Sequence, residues 1–198
     1  MKRLTAPFDE AQVRALRAGD LVTVDGEVII TAGLPTHQRL LECLESGTPP
    51  PLDLHGQAFF HLGGYSQGEG GAFEMLYINP TTSTRFNPYM PRLIEGFGLR
   101  LVGGKGGLDE HSVRAMQRVG CVYLSFLGGG CTLLSRAIEA VIQVGWSEML
   151  THYRLSKIRV RGLGPAVVAI DAHGRSLYAE TAAQAEGKVA AVLAGLAR

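Results

Sequence analysis

The sequence has little of several things whose absence narrows its function. It holds three cysteines, Cys43, Cys121 and Cys131, with no Cys-x-x-Cys pair, which argues against a disulfide framework and against a self-contained zinc or iron–sulfur site. Neither charge sign dominates: 19 basic residues meet 18 acidic ones, a formal net charge of +1. That balance gives no electrostatic footprint for nucleic acid or an anionic membrane, and neither is expected as a partner. No apolar run approaches the ~18 residues of a membrane helix, and the start Met1-Lys2-Arg3-Leu4 lacks the apolar segment of a signal peptide, so a cytoplasmic location is expected. No linker divides the chain and no period of 20–50 residues appears, so one domain over residues 1–198 is expected. What is present is core material and turns. Apolar residues make up 46% and charged ones 19%. The 26 glycines are about twice the usual share of roughly 7%.

Local signals predict an α/β fold. Asp9 caps a short helix over residues 9–17 carrying Val13 and Leu16. Residues 20–32 alternate apolar and polar around Asp25-Gly26, which predicts a hairpin. Pro35 opens a helix to about Glu45 with Leu40, Leu41 and Leu44 on one side, and Pro49-Pro50-Pro51 ends it as a rigid connector. Strands are predicted at Ala58-Phe59-Phe60 and Met75 to Ile78, flanking a glycine-rich loop from Gly63 to Gly71. Strands near residues 99–103, 121–127, 140–145 and 165–170 then alternate with helical stretches near 88–97, 109–118 and 130–138. That alternation argues for parallel strands with crossover helices. Asp171 to Gly174 turns the chain into a short strand, and an alanine-rich helix from about Glu180 follows.

The densest chemistry is Pro80-Thr81-Thr82-Ser83-Thr84-Arg85, between a strand ending at Ile78 and a helix expected to be capped by Asn87 with Pro88 first. Hydroxyls, a guanidinium and the positive end of a helix dipole suit a carboxylate or phosphate. The alternative is a Ser/Thr-rich turn whose hydroxyls satisfy their own backbone. Further on, Leu99 to Val102 runs into Gly103-Gly104-Lys105-Gly106-Gly107, a lysine on a bare loop at a strand's carboxyl end. Ligands bind at such ends in open α/β sheets. Gly106 follows Lys105 where a phosphate-binding P-loop needs Ser or Thr, and Asp109 stands where a dinucleotide fingerprint needs its third glycine.

Other candidates have blander readings. His37, beside Thr31-Ala32-Gly33, is singled out among six histidines, although a half-buried histidine usually just finds a hydrogen-bond partner. Cys131 follows Gly128-Gly129-Gly130 at an expected helix start, where thiol pKa falls, but Leu133 and Leu134 point to core packing. Lys157, Arg159 and Arg161 would share one strand face, most simply a solvated one.

These residues together resemble a known family. Glu74 to Arg85, then Gly98 to Leu108 with its Gly-Lys-Gly, resemble the β subunit of class I fumarate hydratase and of L(+)-tartrate dehydratase. Asp20 to Arg39, Asp53 to Gly56, Phe60-His61, Gly128 to Thr132, Trp146 to Glu148, and Gly164-Pro165 through Gly174 fall in the same order. The resemblance implies a three-layer swivelling β/β/α domain with a mixed, largely parallel sheet. It implies a hydro-lyase acting at a dicarboxylate of the fumarate/malate or tartrate/oxaloacetate type, with a four-iron four-sulfur cluster on a separate α subunit and none on this chain. It maps catalytic roles onto Thr81, as proton-abstracting base, and Lys105. Substrate binding maps onto Arg85, Thr82 and His37.

The resemblance is not complete. Where the family has Thr-x-Arg-Asp-x-x-His, this chain has Thr31-Ala-Gly33-Leu34-Pro-Thr-His37, and Asn79 replaces the glycine usual before Pro80. The missing arginine leaves the substrate open, and Arg39 is a possible substitute. The competing reading is a non-catalytic small-molecule-binding or regulatory module with the same fold. Gly33 favours that module, whereas Thr81, Arg85 and Lys105 favour the enzyme. Oligomeric state is not legible, which leaves room for a homo-oligomer in isolation.

Overall fold

The computed structural model describes residues 1–69 and 72–196. In chain order the elements are β1 (Lys2–Thr5), α1 (Glu10–Arg14), β2 (Leu21–Ile30), α2 (Leu34–Ser46), β3 (Ala58–Phe60), β4 (Leu62–Glu69) and β5 (Ala72–Pro80). There follow a 3₁₀ turn (Ser83–Phe86), α3 (Met90–Gly96), β6 (Leu101–Gly104), α4 (Glu110–Val119), β7 (Val122–Phe126), α5 (Cys131–Ser135) and β8 (Ile138–Gly145). A second 3₁₀ turn (Thr151–Tyr153), β9 (Leu155–Ile170) and α6 (Leu177–Leu196) complete them.

The fold is α/β, with a mixed, mostly parallel sheet in the order β1-β2-β3-β6-β7-β9-β8 and a separate β4–β5 hairpin. Strands β1, β2, β3, β6 and β7 pair in parallel, as the helix–strand alternation predicts. The two later strands depart from that expectation, because β9 runs antiparallel to β7 and β8. The 16 residues of β9 are long enough to pair with β2 as well, which closes the sheet on itself.

Alternation across this sheet divides the core. Val28, Ile30, Phe60, Leu101, Val122 and Leu124 turn to an inner cluster shared with α1, α5 and the hairpin. Ile29, Phe59, Val102 and Tyr123 turn to the other face, under α3 and α4. Phe59 and Phe60 are both fully buried, and large apolar side chains buried in this way stabilise a fold by about 1.5–3 kcal/mol each.

Four local expectations are corrected. Asp25-Gly26 does not turn a hairpin: β2 runs straight through it, and the register to β9 shifts there as a bulge. Arg3 beside β2 and the Gly162 amide on β9 hold the Asp25 carboxylate, so this buried aspartate joins three strands. The glycine-rich segment from Gly63 is strand β4 as far as Glu69, not a loop, and Gly70 and Gly71 lie outside the described residues. Asn87 closes the first 3₁₀ turn, while α3 begins at Met90 behind Tyr89, and α6 starts earlier than expected, at Leu177.

Candidate active site

The segments that follow β2, β3, β5 and β6 meet at one edge of the sheet. Thr31 N–H donates to Phe60 O (3.1 Å) and His61 N–H to Gly103 O (2.7 Å). The strand after Pro80 wedges between them. Thr81 N–H donates to His61 O (2.9 Å), Lys105 N–H to Thr81 O (3.0 Å) and Ser83 N–H to Lys105 O (2.8 Å). Residues 81–83 and 105, twenty positions apart, are therefore bonded backbone to backbone. The Gly-Lys-Gly loop needs glycine here because a Cβ on Gly104 would lie 2.3 Å from Ser83 Oγ and 3.0 Å from Thr81 O.

Behind this edge lies a buried polar chain. His61 Nδ1 is 2.7 Å from Ser83 Oγ, Ser83 Oγ is 2.7 Å from Tyr123 Oη, and Tyr123 Oη accepts from Gly107 N–H at 3.3 Å. It ties the Thr81–Arg85 loop to the Lys105–Gly107 loop without charge. Burial lowers the pKa of His61 well below the ordinary value, with His37 and Arg85 adding to the shift.

In front, Thr81 and Arg85 line a cavity of about 550 Å³ with Ala32, Leu34, Phe86, His152 and Tyr153. Arg85 Nη2 donates to Thr81 Oγ1 at 2.5 Å, and the guanidinium carbon stands 5.9 Å from the Phe86 ring. Arg85 is exposed and has no carboxylate partner among the described residues. An unopposed guanidinium beside a hydroxyl has the donors to take a carboxylate. The helix dipole expected there does not contribute in the predicted form, because Asn87 is spent accepting from Asp109 N–H (3.2 Å) rather than capping α3.

The other site candidates fall in different places. Thr82 is half-buried and bridges to Lys105 through backbone. The Lys105 side chain leans toward the Gly128 loop, where its Cδ would be 3.8 Å from a Cβ on Gly128. His37 is fully buried, not half-buried. It stacks on Phe86 with centroids 3.9 Å apart and its Nδ1 donates to Gly33 O at 2.7 Å. It stands behind the cavity wall, so any part it plays in binding runs through Phe86. Burial lowers its pKa to about 4, against which the Gly33 carbonyl pulls upward. Arg39 is not available as a substitute cation: Glu148 holds it at 2.6 Å and it lies 5.6 Å over Trp146.

The remaining readings resolve simply. Arg159 pairs with Glu27 at 3.0 Å and Arg161 with Glu139 at 2.6 Å, a solvated face. A hollow lined by Cys43, Leu44, Pro49, Pro50 and Phe97 holds none of the candidate residues. The sequence reading missed His152 and Tyr153, which a 3₁₀ turn about 120 residues downstream brings against Ala32. No periodicity marks such a turn. His61 did carry a signal, a polar residue ending the apolar run Ala58-Phe59-Phe60.

The residues present do not fit an iron–sulfur cluster. Among the described residues no three Cys, His, Asp or Glu side chains are grouped to hold a metal. Cys43, Cys121 and Cys131 stand on separate elements, and burial pushes the Cys121 thiol far up, away from the thiolate a cluster needs. No described helix is long and apolar enough to cross a membrane.

Residues 3–181 match the family model described as Fumarase C-terminus. The chain is 34% identical over 179 residues to L(+)-tartrate dehydratase subunit beta of Escherichia coli K12, covering 90% of this chain and 87% of that one. It is 31% identical over 169 residues to the "Putative L(+)-tartrate dehydratase subunit beta" of Methanocaldococcus jannaschii, covering 85% and 86%. It is 35% identical over 181 residues to the "Putative fumarate hydratase class I" of Geobacillus stearothermophilus, covering 88% of this chain but 33% of that longer one.

Proposed function

The chain belongs to the Fumarase C-terminus family, and from that premise we propose that it is the β subunit of a hydro-lyase, adding or removing water at a hydroxy-acid or dicarboxylate substrate. Relatives named as tartrate dehydratase subunit beta and class I fumarate hydratase support the reaction class. The observation that carries the site is the Arg85 guanidinium, free of any carboxylate among the described residues and bonded to Thr81 Oγ1 at 2.5 Å in the lining of a cavity.

In this reading Arg85 takes the substrate carboxylate. When the carbon beside that carboxylate loses its proton, negative charge spreads onto the carboxylate oxygens, and a preorganised cation lowers the barrier. Thr81, first ionised by losing its hydroxyl proton to solvent, accepts the substrate proton on Oγ1 and becomes the neutral hydroxyl again. A threonine is a weak base on its own, and the Arg85 hydrogen bond supplies the cationic contact that lowers the cost of its alkoxide. Lys105, bonded through its backbone to Thr81 and Ser83, adds positive charge at the same edge. Thr82 and His37 support the loop, His37 through Phe86. No residue of this chain is assigned to the leaving hydroxide; a four-iron four-sulfur cluster, if held by a partner α subunit, would supply the Lewis acid for it.

In enzyme assembled from this chain and its partner, Arg85→Ala and Lys105→Ala should each lower kcat/KM by about 10²–10³, the loss typical of removing one donor to developing charge. Melting temperatures should hardly move, because Arg85 is exposed and Lys105 makes its contacts through backbone. Near-normal activity in both variants would remove the assignment, and carboxylate binding without turnover would favour a binding module.

A further inference from the structure

The cavity at Arg85 continues into a second chamber. Ala32, Thr81 and His152 line both, and the second chamber, of about 240 Å³, is otherwise walled by the hairpin and the Thr151–Tyr153 turn. Its hydrogen-bonding side chains are Tyr65, Tyr77, Asn79, Thr151 and His152 together with Thr81. Among the described residues no lysine, arginine, aspartate or glutamate lines it.

Both walls are fixed from behind, which leaves these side chains free. Tyr65 and Tyr77 are direct partners in the β4–β5 ladder and stack with centroids 5.8 Å and planes 10° apart. They remain 42% and 44% exposed. The turn is clamped through backbone atoms, with Ala32 N–H donating to His152 O at 2.9 Å and Thr31 Oγ1 to Tyr153 O at 3.2 Å. The His152 imidazole takes no part in that clamp.

We propose that this chamber is a hydroxyl-recognition subsite and that the substrate is a polyhydroxy monocarboxylic acid, its one carboxylate on Arg85 and its hydroxylated chain running past Thr81 to Tyr77 and His152. The inference rests on the reading of Thr81 and Arg85 as the carboxylate end. A second carboxylate in this chamber would lose water without gaining a cation, which is costly. A hydroxyl both donates and accepts, and so do phenol, carboxamide, threonine hydroxyl and neutral imidazole. The flat Tyr65–Tyr77 wall gives the carbon chain an apolar surface to lie on.

The test uses the assembled enzyme on malate, L-threonate and D-galactonate, the first carrying a second carboxylate and the other two a hydroxylated chain of rising length in its place. Expected kcat/KM rises along that series, by at least 10-fold from malate to the best polyhydroxy acid. Tyr77→Phe and His152→Ala should each lower kcat/KM for that acid at least 10-fold more than for malate. Malate as the best substrate, or variants that lower every acid equally, would overturn the subsite. Arg85→Ala separates the two levels. If it abolishes activity while Tyr77→Phe and His152→Ala leave the substrate ratios unchanged, only the subsite fails. If Arg85→Ala stays active, or the wild type turns over none of the acids, the carboxylate reading fails and the subsite with it.

Discussion

Gly33 is a packing position. Its backbone lies at φ −86°, which any residue can adopt, yet a Cβ there would stand 2.3 Å from Thr36 Oγ1 and 2.9 Å from both Cα and Cβ of Tyr153. The resemblance expects arginine at this position, but the Thr151–Tyr153 turn occupies the space such a side chain would need. The two features go together: the turn approaches closely because position 33 is bare, and it brings His152 to the cavity in doing so. Thr36 Oγ1 also donates to Tyr153 O, so a side chain at 33 would break the clamp from both sides. Gly33→Arg should therefore fail to add a carboxylate contact and should cost about 1–3 kcal/mol of stability, the usual range for overpacking. Urea unfolding measures this. A Gly33→Arg protein as stable as wild type, with malate turnover raised about 10-fold, would contradict it.

At the scale of elements, α2 and the first 3₁₀ turn meet through aromatic faces, with His37 of α2 stacked on Phe86 and 5.2 Å from His61. Both histidines are buried and have their pKa lowered, His37 to about 4, so in the fold they stay neutral where the unfolded chain takes up protons. The unfolded state then binds more protons below its ordinary value near 6.5, and stability rises with pH. The contribution is complete above pH 6.5 and is lost as pH falls toward 4, at up to about 1.4 kcal/mol per pH unit for His37. His37→Phe keeps a stacked ring and should flatten the slope of unfolding free energy between pH 5 and 7. An unchanged slope would assign the dependence elsewhere. The elements also show why parts of the chain were legible. Asp9 caps α1 as its spacing predicts, and Asp109 does the same for α4 at the start of the predicted helical stretch, each side-chain oxygen accepting from the amide three residues on. Asp25-Gly26 misled because the positive φ that suits a tight turn, here +98°, equally suits a bulge, and only the distant strand β9 decides between them. The glycines of β4 looked like a loop because a strand of small residues has no apolar alternation of its own. Gly64 owes its place to the facing hairpin strand, where a Cβ would lie 2.6 Å from the Met75 sulfur.

For the whole molecule, the decisive feature is how the chemistry is divided. The parallel strands β2, β3 and β6 bring Thr31, His61 and Lys105 to one end of the sheet because their carboxyl ends point the same way, the β4–β5 hairpin returns Thr81 between them, and the sequence motifs marked two of these four segments. The cysteines, by contrast, are scattered: Cys43 lies on α2, Cys121 just before β7 and Cys131 at the start of α5. The chain also corresponds to 33% of the Geobacillus stearothermophilus relative, so two-thirds of that protein has no counterpart here. If Arg85 and Lys105 bind a carboxylate as proposed, a chain with no fitting cluster ligands among its described residues should complete its reaction only with a second polypeptide. Purified alone, it is expected to carry no iron by colorimetric assay and to dehydrate no hydroxy acid. Co-purification with the α subunit should bring iron and activity together, and Arg85→Ala in that complex should remove the activity while the iron content stays. Separating the two readouts matters, because loss of both would mean that Arg85 holds the complex together rather than the substrate. A brown, iron-bearing preparation of this chain by itself would overturn the division, since it would require ligands that three thiols on separate elements, one of them buried with its proton firmly held, are not arranged to supply.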